Sequence, residues 1–196
     1  MELIRKKTKS VLIGNVAIGN NEKIAIQSMT NTKTEDVEAT LQQILMLKQS
    51  GCDIVRASVY SMECAQALKK IKEKISIPLV ADVHFDHKIA IAAIENGADK
   101  LRINPGNISK PEYISELTDC AKAHRIPIRI GVNLGSLNKT IEEKYGRGSD
   151  ALVSSAMENI KMLEDRGFYD IVVSVKASDV KVMVDSYTKL SRQCDY

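Results

Sequence analysis

The sequence contains no tryptophan and only two phenylalanines, and aromatic residues make up 4% of its 196 positions. So sparse a set leaves few platforms on which bases could stack. A net formal charge of +3 creates no electrostatic demand for a polyanionic polymer, so nucleic acid is not an expected partner. Cysteine is scarce too: Cys52, Cys64, Cys120 and Cys194 lie far apart, with no C-x-x-C pair among them. Zinc ribbons and most cluster motifs keep at least two ligands close in sequence. No metal ligand is therefore assigned to this chain, and the thiols read as free in a reducing compartment. No apolar run approaches the roughly 20 residues that span a bilayer. The basic-then-apolar opening MELIRKKTKSVLIGNVAIG is broken by Gly14 and Asn15 and is followed by no cleavage-like segment. A cytoplasmic location without a membrane partner is expected.

What is present is an alternation. Apolar, β-branched runs at 23–29, 53–59, 77–85, 99–105, 126–134 and 170–177 are separated by amphipathic stretches such as VEATLQQILMLKQSG and EYISELTDCAKAH. That order predicts parallel strands joined by helical crossovers. Gly51, Gly97 and Gly167 each stand between a helical stretch and the next strand, where a left-handed residue ends a helix. Pro78 and Pro127 open two strands, where a missing N–H is tolerated. The early segment VLIGNVAIGNNEKIAI reads as a hairpin with Gly19 and Asn20 as turn residues.

About six strand–helix units can be counted, against the eight of a closed barrel of roughly 250 residues. The expected fold is thus an incomplete TIM-type (β/α)8 barrel over residues 1–196, forming one substrate-binding domain. Cys194-Asp195 echoes the Cys52-Asp53 entry to the second strand, as though a seventh strand were due. A doubly wound open sheet is the alternative, although QSMTNTKTEDVE lacks the G-x-G-x-x-G of a dinucleotide site.

Strand side chains alternate between faces. Arg102 and Asn104 therefore oppose Leu101 and Ile103, and Arg129 and Asn133 oppose Ile128, Ile130 and Val132. By the same period Ser174 and Lys176 oppose Val173 and Val175, Asp82 and His84 oppose Ala81 and Val83, and Arg56 holds a similar place. At the C-terminal mouth of a parallel barrel such side chains converge. Arg56, Arg102, Arg129 and Lys176 would then crowd one cavity, an arrangement that needs a compensating anion. A diphosphate answers it, since guanidinium forks match phosphate oxygens. The alternative is that Asp53, Asp82, Asp99 or Asp170 neutralises them one by one.

The turn Asn104-Pro105-Gly106-Asn107 could direct backbone N–H groups at an anion. Asp82 and His84 are too few to define a metal site and read as polar substrate contacts or proton-transfer groups. Asp86 is placed to cap the helix that begins with His87, and His124 reads as a surface residue. Lys176, beside other cations, has the makings of a Schiff-base lysine. That keeps a lyase or pterin-type barrel enzyme as an alternative, alongside a non-catalytic anion-binding barrel.

The runs IAIQSMTNT, VRASV, VADVHFD, LRINPGNI, IRIGVNLGSL and SVKASDV, in this order, resemble the barrel domain of the 4-hydroxy-3-methylbut-2-en-1-yl diphosphate synthases. The resemblance covers essentially the whole chain. It implies an oxidoreductase of the non-mevalonate isoprenoid and terpenoid pathway that reductively opens 2-C-methyl-D-erythritol 2,4-cyclodiphosphate. It further implies a separate C-terminal domain holding a [4Fe–4S] cluster through three Cys and a Glu, a ferredoxin or flavodoxin as electron donor, and a homodimer. Carried onto this chain, Arg56, Arg102, Arg129 and Lys176 would hold the diphosphate. Asn104 and Asn133 would add hydrogen bonds, with Asp82 and His84 at the cavity wall. None of the four Cys falls where cluster ligands belong, so this polypeptide is expected neither to carry the cluster nor to turn over alone.

Overall fold

The alternating segments fold as six parallel strands with helices along one face. The computed structural model describes residues 6–84, 86–103 and 110–196. A two-stranded antiparallel hairpin, β1 (Val11–Ile13) and β2 (Val16–Ile18), comes first. The parallel sheet then runs β3 (Gln27–Met29), β4 (Ile54–Ser58), β5 (Leu79–Val83), β6 (Lys100–Ile103), β7 (Ile128–Asn133) and β8 (Ile171–Lys176), hydrogen-bonded in that order. A doubly wound sheet reverses its strand order at a switch point; this one never does. The sheet is a single-handed arc, six units of a TIM-type barrel.

The crossovers are α1 (Val37–Gln49), α2 (Met62–Lys72), α3 (His87–Glu95), α4 (Pro111–His124), the short α5 (Lys139–Tyr145) with α6 (Ser149–Glu164), and α7 (Val180–Leu190) after the last strand. Their starts follow local chemistry. The carboxylates of Asp36, Asp86 and Asp179 accept N–H groups of the first turns of α1, α3 and α7, and the Ser61 hydroxyl does so for α2. Pro111 opens α4. Gly51, Gly97 and Gly167 all take positive φ beyond helix ends, at 92°, 94° and 65°, as their positions demand.

One face of each strand packs on these helices. Val55, Ala57, Leu79, Ala81, Leu101, Ile128 and Ile130 are fully buried there against residues such as Leu68, Ile71, Ile114 and Leu117. The other face points into the arc, and the hairpin stops its lower end: Ile13, fully buried, packs with Ile54 and Val80.

Two details differ from expectation. The hairpin turns at Gly14-Asn15, while Gly19, Asn20 and Asn21 make a second turn, all at positive φ. A Cβ on Gly14 would lie 3.1 Å from both Pro78 and Asp99, so only glycine lets the hairpin tip rest on the ends of β5 and β6. The first barrel strand is also short, starting at Gln27 rather than residue 23. Asp53 brackets Ile26: the Ile26 C=O accepts the Asp53 N–H at 2.8 Å, and also the Ile54 N–H at 3.1 Å, while its N–H donates to Asp53 Oδ2 at 2.8 Å.

Candidate active site in the arc

Period two and ladder register together decide what meets on the inner face. Asp82 of β5 lies beside Ser58 of β4 and Arg102 of β6. Arg102 lies beside Arg129 of β7, which lies beside Val172 of β8. Arg56, two residues below Ser58, pairs in register with Met29 and Val80. Three guanidinium groups from three strands therefore face the same interior.

They are not equally compensated. Asp82 is 3% exposed, and its Oδ1 accepts from Arg102 Nη1 at 3.0 Å while its Oδ2 lies 3.6 Å from Arg56 Nε. His84 Nε2 stands 3.5 Å from the same carboxylate. Arg56 also directs Nε and Nη2 at the Met29 sulfur, at 3.2 and 3.0 Å. Arg129 is held instead by a neutral group, its Nε donating to Ser174 Oγ at 3.0 Å. Burial, then repulsion from Arg56, lowers the Arg129 pKa from its ordinary value, which leaves a guanidinium charged all the same. One carboxylate thus serves two arginines, and the third has none among the described residues.

Glycine makes part of this possible. An added Cβ on Gly131 would come within 2.6 Å of Arg102 Nε and 2.9 Å of Nη2, so the guanidinium lies across the bare backbone of β7.

Below these groups a cavity of about 630 Å³ is lined by Gln27, Met29, Arg56, Lys100, Arg129 and Val172, with the hairpin's Ile18 and strand residue Ile54 toward its floor. Lys100 is absent from the expected set. It is 3% exposed and donates to Gln27 Oε1 at 3.3 Å. Its spacing of two from Arg102 is the signal that would have placed it inside. Gln27 and Gly131 share the inner face by the same count.

The other expected residues lie elsewhere. Lys176 pairs in register with Asn133, is exposed, and lines a different cavity of about 470 Å³ with Asn133 and Arg147. The fourfold cluster is therefore a threefold one with Lys100 beneath it. The crowded, buried setting sought for a Schiff-base lysine is found at Lys100. Asn104 and the turn through Asn107 fall outside the described residues. Asp53, Asp99 and Asp170 do not reach the arginines; they pair with Lys23, Lys72 and Lys9. Asp86 caps α3 as expected. His87 is buried, stacked 3.8 Å from Tyr113 and 3.3 Å from Glu116, which gives it a packing role. His124 is exposed. Among the described residues no group of three or more His, Cys, Asp and Glu could hold a metal, and no helix is long and apolar enough to cross a membrane.

The chain is similar in sequence to proteins named 4-hydroxy-3-methylbut-2-en-1-yl diphosphate synthase (flavodoxin). It is 53% identical over 193 residues to that of Shouchella clausii, covering 98% of this chain and 53% of the relative. It is 52% identical to those of Fusobacterium nucleatum, covering 98% and 55%, and Listeria monocytogenes, covering 99% and 53%. The chain thus spans about half the length of these curated relatives. Among solved structures it is similar to dihydropteroate synthases of Yersinia pestis (TM-score 0.65, 8% identity, covering 94% of this chain and 70% of that one) and Vibrio fischeri (0.64, 12%, 94% and 73%). At such identities only the barrel fold is shared. The model of the GcpE TIM-barrel domain matches residues 8–196, and the chain belongs to that family.

Proposed function

We propose that this chain is the substrate-holding barrel of an enzyme that reductively converts 2-C-methyl-D-erythritol 2,4-cyclodiphosphate to 4-hydroxy-3-methylbut-2-enyl diphosphate. The observation that carries the reading is the uneven compensation of Arg56, Arg102 and Arg129 around the single carboxylate of Asp82. A low-dielectric interior tolerates such an excess when an anion enters. In this reading the arginines take the diphosphate, with Asn133 and Lys176 reaching it from the upper rim. Asp82 fixes the forks of Arg56 and Arg102, and His84, 3.5 Å from the Asp82 carboxylate, stands where a proton could be exchanged with the substrate.

The residues present do not fit a [4Fe–4S] cluster. The four thiols are free, Cys64 on α2, Cys120 on α4, and Cys52 and Cys194 in the segments before β4 and after α7, whereas cluster ligands must converge. We assign the cluster, and with it turnover, to a part of the whole enzyme beyond this chain. A flavodoxin as electron donor, supported by the relatives' names, a homodimer and a cytoplasmic setting complete the proposal for the whole enzyme. Titration calorimetry with the cyclic diphosphate tests it. Binding should be measurable, and Arg102→Met should weaken it by about ten- to a hundredfold, as expected for a lost charge-assisted hydrogen bond. No binding by the wild-type chain, or an unchanged affinity in the variant, would overturn the reading.

A further inference from the structure

The rim of the arc carries a stretch of chain that the fold holds loosely. Between Asn133 of β7 and Ser149 of α6, the only buried side chain is Ile141, with Leu134 and Leu137 half-buried against the core. An added Cβ on Gly135, Gly146 or Gly148 would meet nothing within 4 Å. Gly146 stands at φ 70° and ψ −164°, a region that glycine alone enters readily, and Arg147 follows it between two glycines. This arginine lines the rim cavity of about 470 Å³ together with Asn133, Lys176 and Asp179. Its partner is Glu142 of α5 at 3.1 Å, with the arginine side chain 59% and the glutamate 36% exposed; Glu142 does not line the cavity. Asp179 is engaged as the N-cap of α7, accepting the Val182 N–H at 3.0 Å. Among the described residues no hydrogen bond or ion pair holds the Lys176 ammonium. The cavity thus contains a free ammonium, a capping carboxylate and a guanidinium whose counter-charge lies outside it.

We propose that Arg147 is a further ligand-binding residue, which gives up Glu142 for the anionic end of a ligand at Asn133 and Lys176 and draws the 134–148 strap over the rim. This role rests on the reading above, in which Asn133 and Lys176 reach the diphosphate. An exposed ion pair contributes little. A guanidinium donating two parallel bonds to a phosphate-type oxyanion, beside an ammonium, contributes more. The exchange therefore runs toward the ligand once one is bound, and back to Glu142 when the rim is empty. Little else has to break. Ile141 stays seated as the pivot, while the glycines on either side of Arg147 absorb the change in backbone angle. Glu142 is the competitor in this scheme, the residue that keeps the strap open.

The two ends of one ion pair should then act in opposite directions. In calorimetric titration of the 196-residue chain with the cyclic diphosphate, Arg147→Gln should bind about tenfold more weakly. Glu142→Gln should bind about two- to fivefold more tightly, the worth of an exposed ion pair that no longer competes. In the Arg147→Gln background the Glu142→Gln change should have no effect, because Glu142 acts through Arg147 alone. A tightening that persists there belongs to net charge and overturns the exchange. A Glu142→Gln variant that binds more weakly, or an Arg147→Gln variant that binds like the wild type, overturns it equally. Both side chains are exposed, so the circular dichroism of each variant should match the parent. The Arg102→Met variant tells the two levels apart. Weakened binding in Arg102→Met beside an unchanged Arg147→Gln sinks the strap alone, whereas a wild-type chain that binds nothing sinks the strap and the diphosphate reading together.

Discussion

At the scale of single residues, the absence of a side chain does as much as the presence of one. Arg102 reaches Asp82 because Gly131 leaves the inner surface of β7 bare, and a methyl group there would lie 2.6 Å from Nε. Gly131 has no need of a left-handed backbone, so alanine fits the strand itself. What must move is the far end of Arg102. Gly131→Ala should therefore cost only about 1 kcal/mol of stability, the low end of overpacking. It should lower affinity for the diphosphate by about tenfold, as the fork loses its setting. Thermal unfolding and calorimetry on one preparation separate the two effects, and parallel losses of similar size would show that the glycine matters only for packing. Arg56, Asp82, Arg102 and Arg129 were legible in the sequence because polar residues at spacing two in apolar runs must share a face. Lys100 obeys the same count, but a lysine following Asp99 at the start of a strand reads as a solvated pair. Its isolation emerges only when Asp99 is seen to turn toward Lys72. Lys176 shows the converse limit. Spacing gives its face, whereas its height along β8 relative to Arg129 depends on how the strands stagger.

At the scale of elements, two strand entrances are secured by the same device. Asp99 donates its N–H to the Leu79 C=O at 2.8 Å and accepts the Leu79 N–H on Oδ2 at 2.7 Å; Asp53 brackets Ile26 in the same way. Each aspartate thus ties the start of its own strand to the start of the preceding one. The Gly-x-Asp punctuation is legible in the sequence as a boundary, but its cross-strand purpose is not, because it requires knowing which strands are neighbours. Leu79 is fully buried, so removing the acceptor leaves an N–H without water to replace it. Asp99→Ala should lower unfolding free energy by about 2 kcal/mol and leave ligand affinity almost unchanged, since Asp99 faces away from the cavity. Denaturant titration would check this, and a loss of affinity as large as that from Arg102→Met would refute the separation of frame from site. Helix positions were read well because several carry local start or stop signals, the capping carboxylates of α1, α3 and α7 and the glycines after α1, α3 and α6. The first strand was over-extended because the apolar alternation of residues 23–26 runs ahead of the ladder, whose register with β4 begins at Gln27.

At the scale of the molecule, the six-strand arc has two ends. β3 and β8 each have a hydrogen-bonded neighbour on one side only. Their helices repeat the asymmetry, α1 packing on α2 and α7 on α6. The exposed apolar side chains follow suit. Ile24 and Ile26 lie just before β3, and Leu45 and Met46 on α1. Val180, Val184 and Tyr187 line α7 at helical spacing, with Val180 67% and Val184 56% exposed. Apolar flanks beside unpaired strand edges favour association. Because both flanks belong to the same arc, a second copy offers each end an apolar counterpart and an open ladder. The isolated chain should accordingly show a weight-average mass that rises with concentration in sedimentation experiments. A Val180→Glu, Val184→Lys double variant, placed on the solvent face of α7, should weaken that association by about tenfold or more, since it removes apolar area from the contact without touching the core. Its circular dichroism should remain that of the parent. A wild-type chain that stays monomeric across the whole concentration range, or a double variant that associates as strongly, would show that the ends of the arc are not where copies meet.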